Sequence, residues 1–550
     1  MSAASPESTR PSGQLQQYLR DVGALLRAGD RQRAIRLSAQ AVASGHEHIN
    51  LLTLAAYEHL GSGRTEAALA CASRARELGP RDVDALNVLG LCLVAADRGR
   101  GALPIYDAAL RQAPNAAHVH YNKGRALEDL NETAHARIAY ERTIALQPAH
   151  SQALTRLATF AALRGDAITA RSYAQRALQL DPGSSAAELA LAMADIEEKR
   201  FDNAMTRLVP LTRSENPSAR NRAIALSLLG DALDGLDRVT EAFSAYSASN
   251  ALLRTIHQPI YGAQDMETAA ERVSRMVGYF HDNPPKPDML APGGTSPVGI
   301  HVFLIGFPRS GTTLLEQILD AHPDVETMTE RDCLIDAANE FLLPGDGLQR
   351  LATLHDTERK KYRQAYWRRV AEYGHTASRP VFIDKMPLNT VLLCLIARLF
   401  PDAKILFALR DPRDVVLSCF RRRFGFTAQM FELLTLEGAA RYYDLVRQLG
   451  EICAPLFGEK LHYLRYEDMV RDFEGESGKT CAFLGISPHR SMSEFATRVR
   501  AKDINTPSAG QVARGLYTEG VGQWRRYAQQ LQPVLPVLAP WMARFGYGGP

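Results

Sequence analysis

The stretch VGIHVFLIGFPRSGTTLLEQILDAHP, residues Val298–Pro323, decides the fold of the second half of the chain. Val302–Ile305 is the short apolar run that a buried parallel strand requires. Leu314, Leu315, Ile318 and Leu319 then recur at helical spacing. Between them lies GFPRSGTT, Gly306–Thr313. A strand, a glycine loop and a helix in that order turn backbone amides and a helix N-terminus towards one point, which makes an anion site. The loop follows the nucleotide-binding pattern G-x-x-x-x-G-K-S/T, except that Thr312 stands where the lysine belongs. That lysine reaches the β- and γ-phosphates, so this loop suits a phosphate group better than triphosphate hydrolysis. Asp384, in VFID, is the nearest candidate for a magnesium-binding aspartate and is not a convincing one.

Downstream, AKILFALRDPRDVVLSCFRRRF (Ala403–Phe424) gives a strand over Ile405–Leu409, then Arg410, and Ser418 on the next helix. Arg422 falls one turn beyond Ser418 on the same face. Arginine offers phosphate a forked, permanently charged donor pair. PRSGTT resembles the 5′-phosphosulfate loop of the sulfotransferases that use 3′-phosphoadenosine 5′-phosphosulfate (PAPS). The arginine–serine segment resembles their 3′-phosphate-binding element. RSGTTLLEQILDAHPDV followed by Glu330, and the C-terminal stretch Ile504–Tyr547, are similar to the protein-tyrosine sulfotransferases and their bacterial relatives. The resemblance covers about residues 298–547. That branch usually has a glycine and an acidic residue before its catalytic glutamate, where this chain has Met328 and Thr329. It has a lysine before its loop tryptophan, where this chain has Gln523.

The resemblance implies a P-loop-like α/β domain with a parallel sheet, PAPS as donor, adenosine 3′,5′-bisphosphate as product and no metal. It implies that Arg309, Ser310, Gly311, Thr312 and Thr313 hold the 5′ side of the donor and that Arg410, Ser418 and Arg422 hold the 3′-phosphate. Tyr466, in LRYEDM, matches a nucleotide-site tyrosine. Ser508–Tyr517, with Arg514, Trp524 and Arg525, matches a loop that closes over the nucleotide. Glu330, 21 residues after Arg309, takes the place of the catalytic base, with Glu326 and Asp332 as competing carboxylates. Arg309 would face the sulfate, and Ser508 would contact the transferring group. Lys385 follows the strand-like Val381–Ile383 and so belongs at the C-terminal edge of the sheet, where open α/β folds bind ligands. Its implied role is to steady the bridging oxygen as charge develops.

The first half is a repeat. Pro80, Pro114, Pro148 and Pro182 lie 34 residues apart, as do Ala34, Ala68, Ala102, Ala136, Ala170 and Ala204. Gly90 and Gly124, and Tyr106 and Tyr140, keep the same step. Small residues allow helices to approach and proline ends the second helix of each pair. The pattern resembles the tetratricopeptide family over residues 15–255, with an irregular final repeat at Gly230, Ala242 and Tyr246. Such an all-α superhelix has a concave face that serves a peptide or protein acceptor, a scaffold or an oligomer. The expected organisation is therefore α plus α/β: a disordered N-terminus over 1–14, repeats over 15–255, a helix and Pro/Gly-rich linker over 256–297, and the sulfotransferase-like domain over 298–550.

A balance of 64 basic against 61 acidic residues gives a net charge of +3, and Arg421–Arg423 is one triplet, so nucleic acid is not an expected partner. No run of about 18 apolar residues predicts a membrane span. Seven scattered cysteines without a C-x-x-C pair predict free thiols and a cytoplasmic location. The acceptor hydroxyl is expected on a protein tyrosine, with carbohydrate or small-molecule hydroxyls as alternatives. A P-loop kinase or NTPase and a non-enzymatic repeat adaptor are the competing readings.

Overall fold

The computed structural model describes residues 13–213, 218–263, 266–286, 296–501, 512, 515–516, 518 and 520–548. Two compact units result: Met1–Ala162 with Ile168–Ala190, and Leu163–Ala167 with Leu191–Pro550.

The first unit consists of antiparallel helix pairs such as Ile49–Gly61 with Thr65–Leu78 and Val83–Ala95 with Gly99–Gln112. Each repeat proline stands two residues past its helix: Pro80 after Leu78, Pro114 after Gln112, Pro148 after Leu146 and Pro182 after Leu180. The alanine column is buried without exception, Ala34, Ala68, Ala102, Ala136, Ala170 and Ala204 all at 0% exposure. The glycine–tyrosine columns explain each other. A Cβ on Gly90 would stand 2.5 Å from the ring of Tyr106, and one on Gly124 would stand 2.7 Å from that of Tyr140. The tyrosine ring fills the space that the missing side chain leaves.

The second unit holds the last helix pair, Ala219–Gly235 and Val239–Tyr261, then the helix Ala269–Asp282, opened by a Thr268–Glu271 capping box, and then the sheet. Gly230 and Tyr246 repeat the glycine–tyrosine contact here at 2.5 Å. Compactness and periodicity thus mark different things: the 34-residue pattern runs on past Ala190, while the packing gathers Leu191 onwards with the sheet.

Five strands, β1 (Ile300–Ile305), β2 (Val325–Thr329), β3 (Val381–Lys385), β4 (Lys404–Leu409) and β5 (Leu461–Arg465), form one all-parallel sheet in the order β2-β3-β1-β4-β5. Both faces of the inner strands β1, β3 and β4 are covered, which is why they read mostly as apolar runs, while the edge strands β2 (VETMT) and β5 (LHYLR) are part-exposed and mixed. Val302, Leu304, Val381, Ile383, Leu406 and Ala408 pack under the helix Thr312–Asp320. Phe303, Ile305, Phe382, Ile405 and Phe407 face the other way, into a core that includes Leu233, Ala242 and Tyr246 of the last helix pair. Phe243 stacks on Phe420 at 5.1 Å, and Asn250 donates to the Phe420 carbonyl at 2.9 Å.

One expectation from the cysteines is overturned. Cys394, on the helix Leu393–Leu399, and Cys453, at the end of Leu436–Cys453, form a disulfide with Cα atoms 5.4 Å apart. They are 59 residues apart in sequence, and only the packing of their two helices brings them together. The support that the cysteines lent to a cytoplasmic location goes with it. Cys71, Cys92, Cys333, Cys419 and Cys481 are free. Among the described residues no helix is long and apolar enough to cross a membrane.

Candidate functional site

The strand order reverses at β1, whose neighbours β3 and β4 are reached in opposite directions. A crevice opens at such a switch point on the carboxyl edge of the sheet. The loop after β1 fills it. Gly306 admits no side chain, since a Cβ there would lie 2.8 Å from the Ala408 carbonyl oxygen. The Thr390 hydroxyl donates to the Gly306 carbonyl at 2.6 Å and the Ser310 hydroxyl to that of Phe307 at 2.7 Å, so the loop is held from inside. Gly311, at φ 97°, precedes the helix Thr312–Asp320, and a Cβ there would meet the Tyr466 ring at 2.7 Å. Arg309 adopts φ 70°, a left-handed conformation that costs a non-glycine residue about 1 kcal/mol or more and persists only where its surroundings impose it. Ser310, Thr312 and Thr313 are buried at the helix start, whose first amides have no intrahelical acceptor.

Three arginines converge on this loop. Arg309 Nε donates to Ser418 Oγ at 2.9 Å. Arg410 Nη1 donates to the Arg309 carbonyl at 3.0 Å, its Nη2 donates to the Gly520 carbonyl, and its guanidinium lies 5.0 Å from the Tyr466 ring centre. Among the described residues Arg410 Nε, which is buried, has no hydrogen-bond partner. Arg422 lies at the end of the helix Pro412–Arg421, where its Nη1 is 3.5 Å from Asp231 Oδ2. Burial, then the neighbouring Arg422 and Arg410, push the Arg309 guanidinium down to about 9. Like charges held this close, with an orphaned donor among them, fit a site built for an anion. The cavity here measures about 610 Å³, with Arg309, Gly311, Arg410, Ser418, Arg422 and Tyr466 in its lining. Asp231 and Asp234 of the last helix pair line it too.

Beside the loop, β3 ends in Lys385, which is 0% exposed. Its Nζ donates to Glu330 Oε1 at 2.6 Å and lies 3.3 Å from Glu316 Oε2. The Glu330 amide donates to the Lys385 carbonyl at 2.8 Å, and Glu330 adopts φ 48°. The side chain of Glu330 is 37% exposed, so it sits at the rim while Lys385 sits behind it. Burial works against the Lys385 charge, but Glu316 and Glu330 outweigh it and its pKa is raised. Glu326, a competing carboxylate, is taken up by His375 at 3.1 Å and the Ser378 amide at 3.2 Å. Asp332 is exposed, and partial desolvation by its neighbours raises its pKa.

Strand alternation separates Asp384 from Lys385. Asp384 faces the opposite side, where the Tyr366 hydroxyl donates to it at 2.9 Å and burial pushes it up to about 7. It is a core group, and the described residues contain no cluster of three or more groups suited to a metal. Trp524 is buried with Arg413 stacked 3.6 Å from its ring centre, and it is not among the residues lining the cavity. Ser508, Arg514 and Tyr517 lie outside the described residues.

Two site residues escaped the sequence reading. Asp414, 1% exposed, accepts from the Gly522 amide at 2.7 Å and the Trp524 amide at 2.8 Å, tying the C-terminal segment to the Arg410 loop. Glu316 is a fully buried charge in the apolar stripe of its helix. That misfit within Leu314, Leu315, Ile318 and Leu319 was the available signal.

The sulfotransferase family profile matches residues 301–490, and tetratricopeptide-repeat profiles match 53–117, 121–185 and 161–226. An uncharacterised protein of Aquifex aeolicus is 28% identical over 246 residues, 43% of this chain and 32% of that protein. The protein-tyrosine sulfotransferase of Drosophila melanogaster is 26% identical over 239 residues, 40% of this chain and 46% of its own length. Protein-tyrosine sulfotransferase 1 of Danio rerio is 27% identical over 265 residues, 45% of this chain and 72% of its own. The chain thus spans less than half the length of the first two relatives. It carries tetratricopeptide repeats followed by a domain of the sulfotransferase family.

Proposed function

We propose that this chain transfers a sulfuryl group from PAPS to an acceptor hydroxyl. The observation that carries the reading is the convergence of Arg309, Arg410 and Ser418 with a helix N-terminus at the β1–β4 switch point, next to the Lys385–Glu330 pair. Gly306–Thr313 would hold the 5′ side of PAPS, and Arg410, Ser418 and Arg422 its 3′-phosphate. Arg422 would exchange its Asp231 contact for that phosphate. Tyr466, packed on Gly311, would flank the nucleotide.

The acceptor hydroxyl would give its proton to Glu330 as its oxygen attacks sulfur. The bond from sulfur to the bridging oxygen breaks in line, and adenosine 3′,5′-bisphosphate leaves. Lys385 would offset the charge gathering on that bridging oxygen, and Arg309 the charge on the sulfuryl oxygens. Ser508 and Arg514, outside the described residues, would serve the transferring group and the nucleotide as the family resemblance implies. A protein tyrosine is the favoured acceptor: relatives named as protein-tyrosine sulfotransferases match the domain, and a repeat array can present a polypeptide.

Calorimetry on the purified chain with adenosine 3′,5′-bisphosphate and with ATP, each with and without magnesium, tests the donor. Tight, magnesium-independent binding of the bisphosphate is expected. A preference for magnesium–ATP would replace the reading with a phosphotransferase. Labelled PAPS offered with a tyrosine peptide, an oligosaccharide or a simple phenol then sorts the acceptor.

A further inference from the structure

Glu316 has no role in that reaction, yet it is among the most buried charges at the site, with 0% of its side chain exposed. It stands one turn into the helix Thr312–Asp320, against the face of the sheet that carries Lys385. A carboxylate removed from water needs a charge partner and hydrogen bonds. Glu316 has both: Lys385 Nζ lies 3.3 Å from Oε2, and the Thr329 hydroxyl donates to Oε1. Lys385, equally buried, donates at 2.6 Å to Glu330 on the rim. The ammonium therefore lies between two carboxylates, one enclosed and one at the reacting edge. Asp320, on the same helix as Glu316, receives the Thr327 hydroxyl at 3.1 Å, and Asp384 points to the other face of the sheet.

We propose that Glu316 is a positioning residue for sulfuryl transfer, the permanent counter-ion that keeps Lys385 charged and in place while Glu330 changes its protonation state. The proposal rests on the roles given above to Lys385 and Glu330. When Glu330 takes the acceptor proton, it becomes neutral and its attraction for Lys385 falls away. A fully buried ammonium with no other partner is driven to lose its proton. That loss would come as negative charge gathers on the bridging oxygen. Glu316 leaves Lys385 one carboxylate through this step. Burial raises the Glu316 pKa, and Lys385 and the Thr329 hydroxyl oppose that rise. The transfer as written moves no proton through Glu316, so its atoms balance without it. The Thr329 hydroxyl and the apolar packing of the helix fix where the carboxylate stands.

A double-mutant cycle on the full chain tests this: wild type, Glu316→Gln, Lys385→Met and the pair, each measured for kcat, for KM of PAPS and for melting temperature. Glu316→Gln keeps the shape and the Thr329 contact and removes the charge. The expected result is a kcat about tenfold to a hundredfold lower, below the loss from removing the base itself, with KM for PAPS nearly unchanged. Once Lys385 is replaced, Glu316→Gln should cost nothing further. An equal loss in both backgrounds overturns the proposal, because Glu316 would then act on the fold and not through Lys385. Should Glu316→Gln fail to fold, Glu316→Asp, which keeps the charge one methylene short, is judged by the same criterion. A wild type that turns over no PAPS fails the functional reading before any variant is compared. An active wild type with additive variants fails the Glu316 proposal alone.

Discussion

Backbone strain is distributed differently in the two halves of the chain. In the repeats, six left-handed residues fall in register, Gly29, Gly63, Asp97, Asn131, Gly165 and Lys199, each 34 residues after the last, in the turn between the helices of a pair; Gly45 and Asp237 are the left-handed residues outside that step among the described repeat residues. Most are glycine, aspartate or asparagine, which tolerate that conformation at little cost. In the sheet domain the left-handed non-glycine residues from β1 onwards, among those described, are Arg309, Glu330 and Ala377. Two of the three are candidate site residues with long side chains that gain nothing from the conformation. Strain that recurs every repeat closes a turn, whereas strain at Arg309 in the loop after β1 and at Glu330 beside it aims long side chains.

If that contrast is sound, the largest effect should come from a change that leaves the backbone alone. Glu330→Gln should lower kcat by about 10²–10⁴-fold while binding of adenosine 3′,5′-bisphosphate and the melting temperature stay close to wild type. Normal turnover in that variant would break the link between the strained position and the chemistry.

Paired glycine substitutions sharpen the same contrast. Gly311→Ala meets both φ 97° and the Tyr466 ring, and should cost about 2–3 kcal/mol along with most nucleotide binding. Gly63→Ala has φ 69° but open space around it, and should cost about 1 kcal/mol and leave nucleotide binding untouched. Denaturant titration with calorimetry separates them. Equal costs would mean that the site loop is an ordinary turn.

The smallest effect lies on the far face of the sheet. Burial raises the folded-state pKa of Asp384 to about 7 from 3.8. Between those values the folded state holds a proton that the unfolded state has released, so stability falls as pH rises from about 4 to about 7. Asp384→Asn should flatten that part of the melting-temperature profile relative to wild type, with sulfuryl transfer little affected. A large loss of activity would place Asp384 in the site after all.

The arginines show where the sequence stops being legible. Arg410 and Ser418 are singled out by a family resemblance carried on a strand end and the next helix, and in the structure both contact Arg309. Arg421, Arg422 and Arg423 form one triplet of which only Arg422 is expected at the site; in the structure Arg421 is nearly buried on Asp234 and Tyr246 while Arg422 lines the cavity. Their partners lie about 190 residues upstream in the last helix pair, and no local pattern announces them. The same holds for Glu316 and Lys385, which meet only because β3 pairs beside β1 and the helix after β1 covers that face.

By itself the sequence determined what periodicity and local geometry control: the 34-residue helix pairs, the glycine loop between strand and helix, and the parallel strands around it. These follow from which residues can end a helix, pass close to a neighbour or adopt φ above zero within a few positions. Tertiary structure alone decided that the last helix pair shares a core with the sheet, that Cys394 and Cys453 are bonded, and that Lys385 lies between two carboxylates. Each depends on burial and charge pairing between segments far apart in the chain, and those energies exist only once the chain has folded.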